Sequence, residues 1–127
     1  MALVVDLAFV LLFATVGRAS HEEGVTPSGV VAVALPFAVA LIVGWAVARR
    51  RTGWPVRAPG STIVWLVTVV LGLALRVATG GGSAWSFGLV TLLVLGLFLV
   101  GWRCAAEVFR FAVEGLGRWS DKAAARR

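Results

Sequence analysis

The amino-acid sequence predicts an all-α fold, an integral membrane four-helix bundle with a cytoplasmic amphipathic extension of the last helix. Hydrophobic residues make up 60% of the chain and the mean hydropathy is +0.95, whereas soluble domains are about 45–50% apolar. Only 14% of the residues are charged, too few to cover a water-facing surface. The apolar residues fall in four blocks, which must be helical because backbone polar groups in hydrocarbon have to be satisfied internally.

Each apolar block is close to the length of a membrane span, which is about 20 residues with a range near 17–25. The first block is short, and Asp6 lies where a secretory signal would carry positive charge, so we expect a retained span. The four spans form one membrane domain over residues 1–119, followed by a basic tail over 120–127. The predicted elements are spans at about 2–17, 28–48, 61–79 and 85–102, and an amphipathic helix at 103–118.

The basic residues predict the orientation of the spans. Ten of the twelve fall in two stretches, Arg49 to Arg57 and Arg103 to Arg127. The positive-inside rule places both stretches in the cytoplasm. We therefore expect a multi-pass protein of the cell (plasma) membrane with both termini cytoplasmic. Its expected partners are the lipid bilayer and anionic lipids at the cytoplasmic face, and the charge of +6 needs no nucleic acid to explain it.

The second block carries a ridge of small residues. Ala32, Pro36, Ala40 and Gly44 recur at every fourth position, and small residues let neighbouring membrane helices pack closely. Pro36 removes one backbone hydrogen bond and is expected to kink the helix. We expect Gly88 and Gly96 in the fourth span to face this ridge.

The third block has a polar stripe. Its members recur at spacings of three and four and are Ser61, Trp65, Thr68, Gly72, Arg76 and Thr79. Such a stripe faces protein or water, while the other side faces lipid. For Arg76 two alternatives stay open: the side chain extends to the outer surface, or it lines a cavity and meets an anion or a carboxylate.

An outward-facing polar cluster is predicted around Arg76. Asp6 is separated from Arg76 axially by roughly 14 Å, which two side chains do not easily bridge. The residues just past the first span lie at a better depth. The predicted cluster consists of Arg18, His21, Glu22 and Arg76.

Asp6 is the one carboxylate inside a predicted span, and two interpretations stay open. It could be buried in the bundle, where a titratable carboxylate can couple solute movement to protons. It could instead sit at the first turn, where its negative charge offsets the positive end of the helix dipole.

The pattern beyond Trp102 predicts that the fourth helix continues. Basic and acidic residues alternate along one face, at Arg103, Glu107, Arg110, Glu114 and Arg118. The opposite face is apolar, with Val108 and Phe109 among its members, as expected for a helix at a membrane surface.

Familiar enzyme motifs are absent from the sequence. There is no phosphate-binding Gly-rich loop, no His-Glu-x-x-His and no Gly-x-Ser-x-Gly. One His and one Cys cannot form the usual multi-ligand metal sites. We predict no catalytic residues, no metal and no cofactor, and expect a protein that is not an enzyme.

Several short motifs resemble the prokaryotic membrane proteins of domain-of-unknown-function family 3054, over about Val4 to Arg103. They are Asp6 to Phe13 to Gly17-Arg18-x-Ser20-His21, Pro36-Phe37, Gly44-Trp45, Gly72-x3-Arg76, Ser86-Phe87 and Gly101-Trp102-Arg103. The resemblance implies a small four-span membrane protein with no assigned activity. It departs at Leu35, where many relatives are expected to have Trp.

Two functional hypotheses from different classes follow. The first is a small-solute or ion carrier or channel, expected to form a homo-oligomer, with an outward polar cluster and with Asp6 coupling to protons. The second is a non-transporting scaffold or accessory protein that binds a partner or anionic lipid through its cytoplasmic side.

Overall fold

The computed structural model describes residues 1–19, 25–54, 57–82 and 84–124, with the backbone alone over 116–124. Within these ranges the regular structure is helical throughout. The elements are α1 (Ala2–Ala19), α2 (Pro27–Thr52), α3 (Gly60–Ala78), α4 (Trp85–Gly96), a π-helical turn (Leu97–Gly101) and α5 (Trp102–Ala124).

The helices confirm the predicted all-α class and fit a four-helix bundle. Four helical segments are long and apolar enough to cross a membrane: Ala2–Ala19, Pro27–Thr52, Gly60–Ala78 and Trp85–Gly115. The last of these joins α4, the π-helical turn and α5 in one continuous helix. The helix reaches Ala124, beyond the end near Arg118 that the sequence predicts.

Local signals at both ends make α2 longer than the predicted span. Thr26 caps the start, since its hydroxyl accepts a hydrogen bond from the Gly29 N–H at 3.2 Å, and Pro27 suits the first helical position. At the other end Gly53 adopts φ +79° and donates its N–H to the Arg49 carbonyl at 3.1 Å. A left-handed conformation of this kind suits glycine and ends the helix.

The tightest packing lies between α2 and α3, because small residues bring the two backbones together. A Cβ on Gly44 would lie 3.1 Å from the Val64 carbonyl oxygen, and one on Gly72 would overlap the ring of Phe37. Pro36, Ala40 and Gly44 of the predicted ridge are buried, whereas Ala32 is exposed in the single chain. The ridge therefore faces α3.

Gly88 and Gly96 do not face the α2 ridge, so that expectation is wrong. Both face α3: a Cβ on Gly88 would meet Leu73 at 3.8 Å, and one on Gly96 would meet the Trp65 indole at 3.0 Å. The Trp65 Nε1–H also donates to the Leu92 carbonyl at 3.1 Å. A large indole fitted against a glycine thus anchors α4 on α3.

The polar stripe of α3 lies largely toward the bundle interior. Ser61, Thr68 and Gly72 are buried, Trp65 and Arg76 are half-buried, and Thr79 is exposed at the helix end. The Thr68 hydroxyl donates to the Val64 carbonyl at 2.6 Å, so its burial leaves no unsatisfied donor. The lipid-facing side of α3 carries exposed apolar residues such as Val70.

Candidate functional site

A carboxylate and a guanidinium are buried together inside the bundle. Asp6 of α1 is fully buried and Arg103 of α5 is 3% exposed. The Arg103 Nη2 lies 2.6 Å from Asp6 Oδ2, and Nη1 lies 2.9 Å from Oδ1. Two parallel hydrogen bonds of this kind form the bidentate arrangement that makes arginine–carboxylate pairs both strong and directional.

Two tryptophans complete the hydrogen bonding of Asp6. The Trp45 Nε1–H donates to Oδ2 at 2.8 Å, and the Trp102 Nε1–H donates to Oδ1 at 3.0 Å. Each carboxylate oxygen therefore accepts two hydrogen bonds. The Arg103 guanidinium also donates to the Leu99 carbonyl and lies 4.9 Å from the Trp102 ring centroid. We call Asp6, Trp45, Trp102 and Arg103 the polar end of the bundle.

The chain topology brings these four residues to one depth. Asp6 lies in the second turn of α1, Trp45 in the last third of α2, and Arg103 follows the π-helical turn. The hydrogen bonds of a π turn close one residue later than those of an α-helix, and each residue adds about 100° around a helix axis. Without the extra residue, the Arg103 side chain would point about 100° away from Asp6. The π turn therefore sets the direction of the Arg103 side chain.

Arg103 is the member of the polar end that the sequence interpretation misplaced. Its charge pattern assigned it to the cytoplasmic surface helix, but the side chain is buried against Asp6. A signal was present in the order of the spans: with four spans, the start of the first and the end of the fourth lie on the same side of the bundle. Asp6 and Arg103 occupy those two places, and matching their depths would have paired them.

A cavity of about 400 Å³ opens beside Arg103. Polar residues on its lining include Arg57, Ser61 and Glu107, and the Arg57 Nε donates to Glu107 Oε1 at 2.8 Å. The Arg103 Nε is buried and has no hydrogen-bond partner among the described residues. Those residues include no group of three or more His, Cys, Asp or Glu that could hold a metal ion. The Arg57 and Arg103 guanidinium groups and the Ser61 hydroxyl on this lining are groups that can donate hydrogen bonds to an anion.

The opposite end of the bundle is built from aromatic rings. The Phe13 and Phe37 ring centroids lie 5.4 Å apart, and Phe87 lies 6.1 Å from Phe13 and 6.4 Å from Phe37. The Arg76 guanidinium carbon lies 4.4 Å from the Phe87 ring centroid, a distance typical of cation–π contacts. We call Phe13, Phe37, Arg76 and Phe87 the aromatic end.

Two members of the predicted outward cluster, Arg18 and Arg76, lie within electrostatic range of each other. Arg18 packs against Gly29, where a Cβ would lie 2.6 Å from its Nη2, and it is close enough to Arg76 for the like charges to repel. His21 and Glu22 lie outside the described residues. The four-residue cluster therefore stays a prediction.

Comparison with known proteins gives one family and no individual relative. No curated protein and no solved structure matches the chain significantly. The model of the family described as "Protein of unknown function (DUF3054)" matches residues 3–106. This range includes all four residues of the polar end and all four of the aromatic end. The chain belongs to the DUF3054 family of proteins of unknown function.

Proposed function

We propose that this membrane protein is a carrier that moves a small monocarboxylate together with a proton, and that Arg103 binds the carboxylate. The observation that carries the proposal is the bidentate pair of Asp6 and Arg103, buried in the bundle beside a cavity. Ionisable groups at membrane depth are costly and commonly mark ion or solute pathways. No covalent step is involved, so the proposed activity is not enzymatic.

Electroneutrality supports this choice of cargo. Removing the negative partner from a buried guanidinium costs several kcal/mol. When Asp6 takes up a proton it releases Arg103, and a free carboxylate can then occupy the same two guanidinium N–H groups. One proton and one anion enter together, so the site stays neutral. Loss of the proton restores the Asp6–Arg103 pair and expels the anion.

The surroundings of the pair suit an exchange of this kind. The cavity reaches Arg103 and carries the Arg57–Glu107 ion pair and the Ser61 hydroxyl on its lining. Arg103 is the second residue after the π-helical turn, and π turns are frequent at functional sites. Conversion of that turn to α-helix would rotate Arg103 by about 100°. Such a rotation would expose Arg103 to one side of the membrane at a time.

The test is proton-driven uptake in proteoliposomes. With the outside more acidic than the inside, wild-type protein should accumulate labelled lactate, and a protonophore should abolish the accumulation. Asp6→Asn should lose accumulation but keep exchange of labelled for unlabelled lactate, because Arg103 still binds the anion. Arg103→Gln should lose both activities, and Arg103→Lys should lose most of both because a lysine lacks the guanidinium fork.

The matched control is Glu114→Gln, a charge change on α5 away from the polar end, which should leave both activities unchanged. Each variant is compared at equal reconstitution and after elution as a single folded species. Absence of uptake of lactate, formate and pyruvate by wild-type protein would contradict the proposal. Unchanged uptake by Arg103→Gln would contradict the assigned binding residue.

We further propose that both termini face the cytoplasm. The support is the concentration of ten basic residues in Arg49 to Arg57 and Arg103 to Arg127, nine of which remain to favour that side once Arg103 is assigned to the pair. Reporters inserted in the 49–57 segment and fused after Arg127 should both score as cytoplasmic. A reporter at either place that scores outside would overturn this orientation.

A second candidate function is a scaffold that engages the membrane surface or a partner through α5. The specific observation is a set of large apolar side chains on this helix that the single chain leaves exposed: Val108, Phe109, Phe111 and Val113. Truncation after Val108 keeps Arg103 and the cavity lining and removes Phe109, Phe111 and Val113. Under the scaffold hypothesis the truncated protein loses a co-purifying partner, whereas under the carrier hypothesis it keeps lactate uptake.

A further inference from the structure

A groove of about 350 Å³ lies between α3 and α4 at the aromatic end. Its lining is almost entirely apolar and includes Val69, Leu73, Val77, Phe87 and Leu92. Among the described residues on the lining, Arg76 is the one that carries a charge. The described part of the groove therefore combines an apolar surface with a cation.

Arg76 has no counter-ion among the described residues. Its charge stacks on the Phe87 ring, and its buried Nε has no hydrogen-bond partner there. Arg18 is close enough to Arg76 for the two like charges to repel each other. A half-buried cation between an aromatic ring and a like charge favours a bound anion, because an anion would satisfy the free N–H and reduce the repulsion.

The depth of the groove matches the outer part of one lipid leaflet. Arg76 lies in the last turn of α3, and the exposed Trp85 begins α4, as tryptophans do at membrane interfaces. The stretch from Val69 to Val77 rises about 12 Å, compared with about 15 Å for half of a 30 Å hydrocarbon core. A headgroup at the level of Arg76 would thus place its acyl chain along the groove.

We propose that this groove binds one anionic phospholipid, with its phosphate on Arg76 and an acyl chain between α3 and α4. A phospholipid is favoured because it has a negative group at the membrane interface and an acyl chain that descends from that group. These two parts match the position of Arg76 and the direction of the groove. The proposal does not rest on the carrier function, and it concerns the end of the bundle away from Arg103.

The experiment is lipid binding to the purified full-length protein, followed by native mass spectrometry and thermal unfolding in detergent. Phosphatidylglycerol should bind and raise the unfolding temperature, and phosphatidylcholine of the same chains should do neither to the same extent. Arg76→Gln should weaken phosphatidylglycerol binding about tenfold, as expected for loss of one charge-assisted contact. Gly88→Leu, which fills the groove beside Leu73, should weaken binding of both lipids.

Arg110→Gln is the matched control, because it removes the same charge from the exposed face of α5 and should leave binding unchanged. Equal losses in Arg76→Gln and Arg110→Gln would overturn the proposal in favour of general charge attraction. Tight binding of oleate without binding of phosphatidylglycerol would overturn it in favour of a free fatty acid. Protection of the groove by a second copy, seen as a dimer that excludes lipid, would also overturn it.

Discussion

The polar end and the aromatic end both connect α1, α2 and the continuous helix formed by α4 and α5. They do so by different physical means. At the polar end one carboxylate of α1 accepts hydrogen bonds from Trp45 of α2 and from Trp102 and Arg103 of α5. At the aromatic end Phe13, Phe37 and Phe87 pack as three rings. Hydrogen bonds to a buried charge are directional and fail when one partner is lost, whereas ring packing is non-directional and adapts. The polar end is therefore suited to changing between two states, and the aromatic end is suited to holding the helices together.

The two ends also differ in how their charges are balanced. Arg103 is neutralised by Asp6 within the chain, so the closed polar end needs no counter-ion from outside. Among the described residues Arg76 lies near Arg18 and has no acid as a partner, so the aromatic end would gain from an external anion. We therefore assign a transported anion, which must compete with Asp6, to the polar end. We assign a resident lipid to the aromatic end.

The largest expected effect comes from breaking the pair at the polar end. Arg103→Gln leaves the Asp6 carboxylate buried without a countercharge, and we expect the free energy of unfolding to fall by about 3–5 kcal/mol. Asp6→Asn should act similarly. The measurement is unfolding of the purified protein in detergent, followed by tryptophan fluorescence.

The double variant Asp6→Asn with Arg103→Gln is the control for this effect. It removes both charges and should be more stable than the sum of the two single losses implies, because neither leaves an unpaired ion. Additive losses in the double-mutant cycle would show that the two residues act independently and would break the distinction between the two ends.

A smaller loss is expected when one neutral donor is removed from Asp6. Trp102→Phe keeps most of the ring and deletes the Nε1–H that donates to Oδ1, so the free energy of unfolding should fall by about 1.5–3 kcal/mol, the range for hydrogen bonds to charged groups. The same denaturation assay applies. A loss as large as that of Arg103→Gln would show that the indole, more than the guanidinium, keeps the carboxylate buried.

At the aromatic end, a methyl group at Gly72 should be harmful because it would overlap the buried Phe37 ring. We expect Gly72→Ala to lower the free energy of unfolding by about 1–3 kcal/mol through overpacking. Gly17→Ala is the matched control, since a Cβ there has no atom of the described residues within 4 Å. Equal stability of the two variants would mean that α2 and α3 can separate at this end without cost.

The smallest effect is expected for Arg76→Gln in detergent without anionic lipid. The variant loses a cation–π contact of about 0.5–1 kcal/mol but also loses the repulsion from Arg18, so the net change should stay below about 1 kcal/mol. Replacement of arginine by glutamine should therefore lower the free energy of unfolding far more at Arg103 than at Arg76. A large loss for Arg76→Gln would show that this cation is also paired within the chain.

Sequence patterns predicted the fold better than they predicted the site. Apolar block lengths and the positions of Gly and Pro are sufficient to predict the four helices, and Pro36, Ala40 and Gly44 of the predicted ridge are buried, whereas Ala32 is exposed. Asp6 was recognised as unusual, but its partner was not, because alternating charges after Trp102 also describe a surface helix. The π-helical turn over Leu97–Gly101 has the apolar composition of any span, so the rotation that aims Arg103 could not be predicted.

The most direct test of the central claim, that Arg103 can bind a free carboxylate in place of Asp6, is chemical rescue of Asp6→Ala. This variant removes the carboxylate and leaves space beside Arg103 for a formate ion. The unfolding temperature of Asp6→Ala should rise with formate in a saturable manner, and it should not rise with chloride at the same ionic strength. Asp6→Ala with Arg103→Ala should show no such response. Identical responses to formate and chloride in Asp6→Ala would contradict the claim.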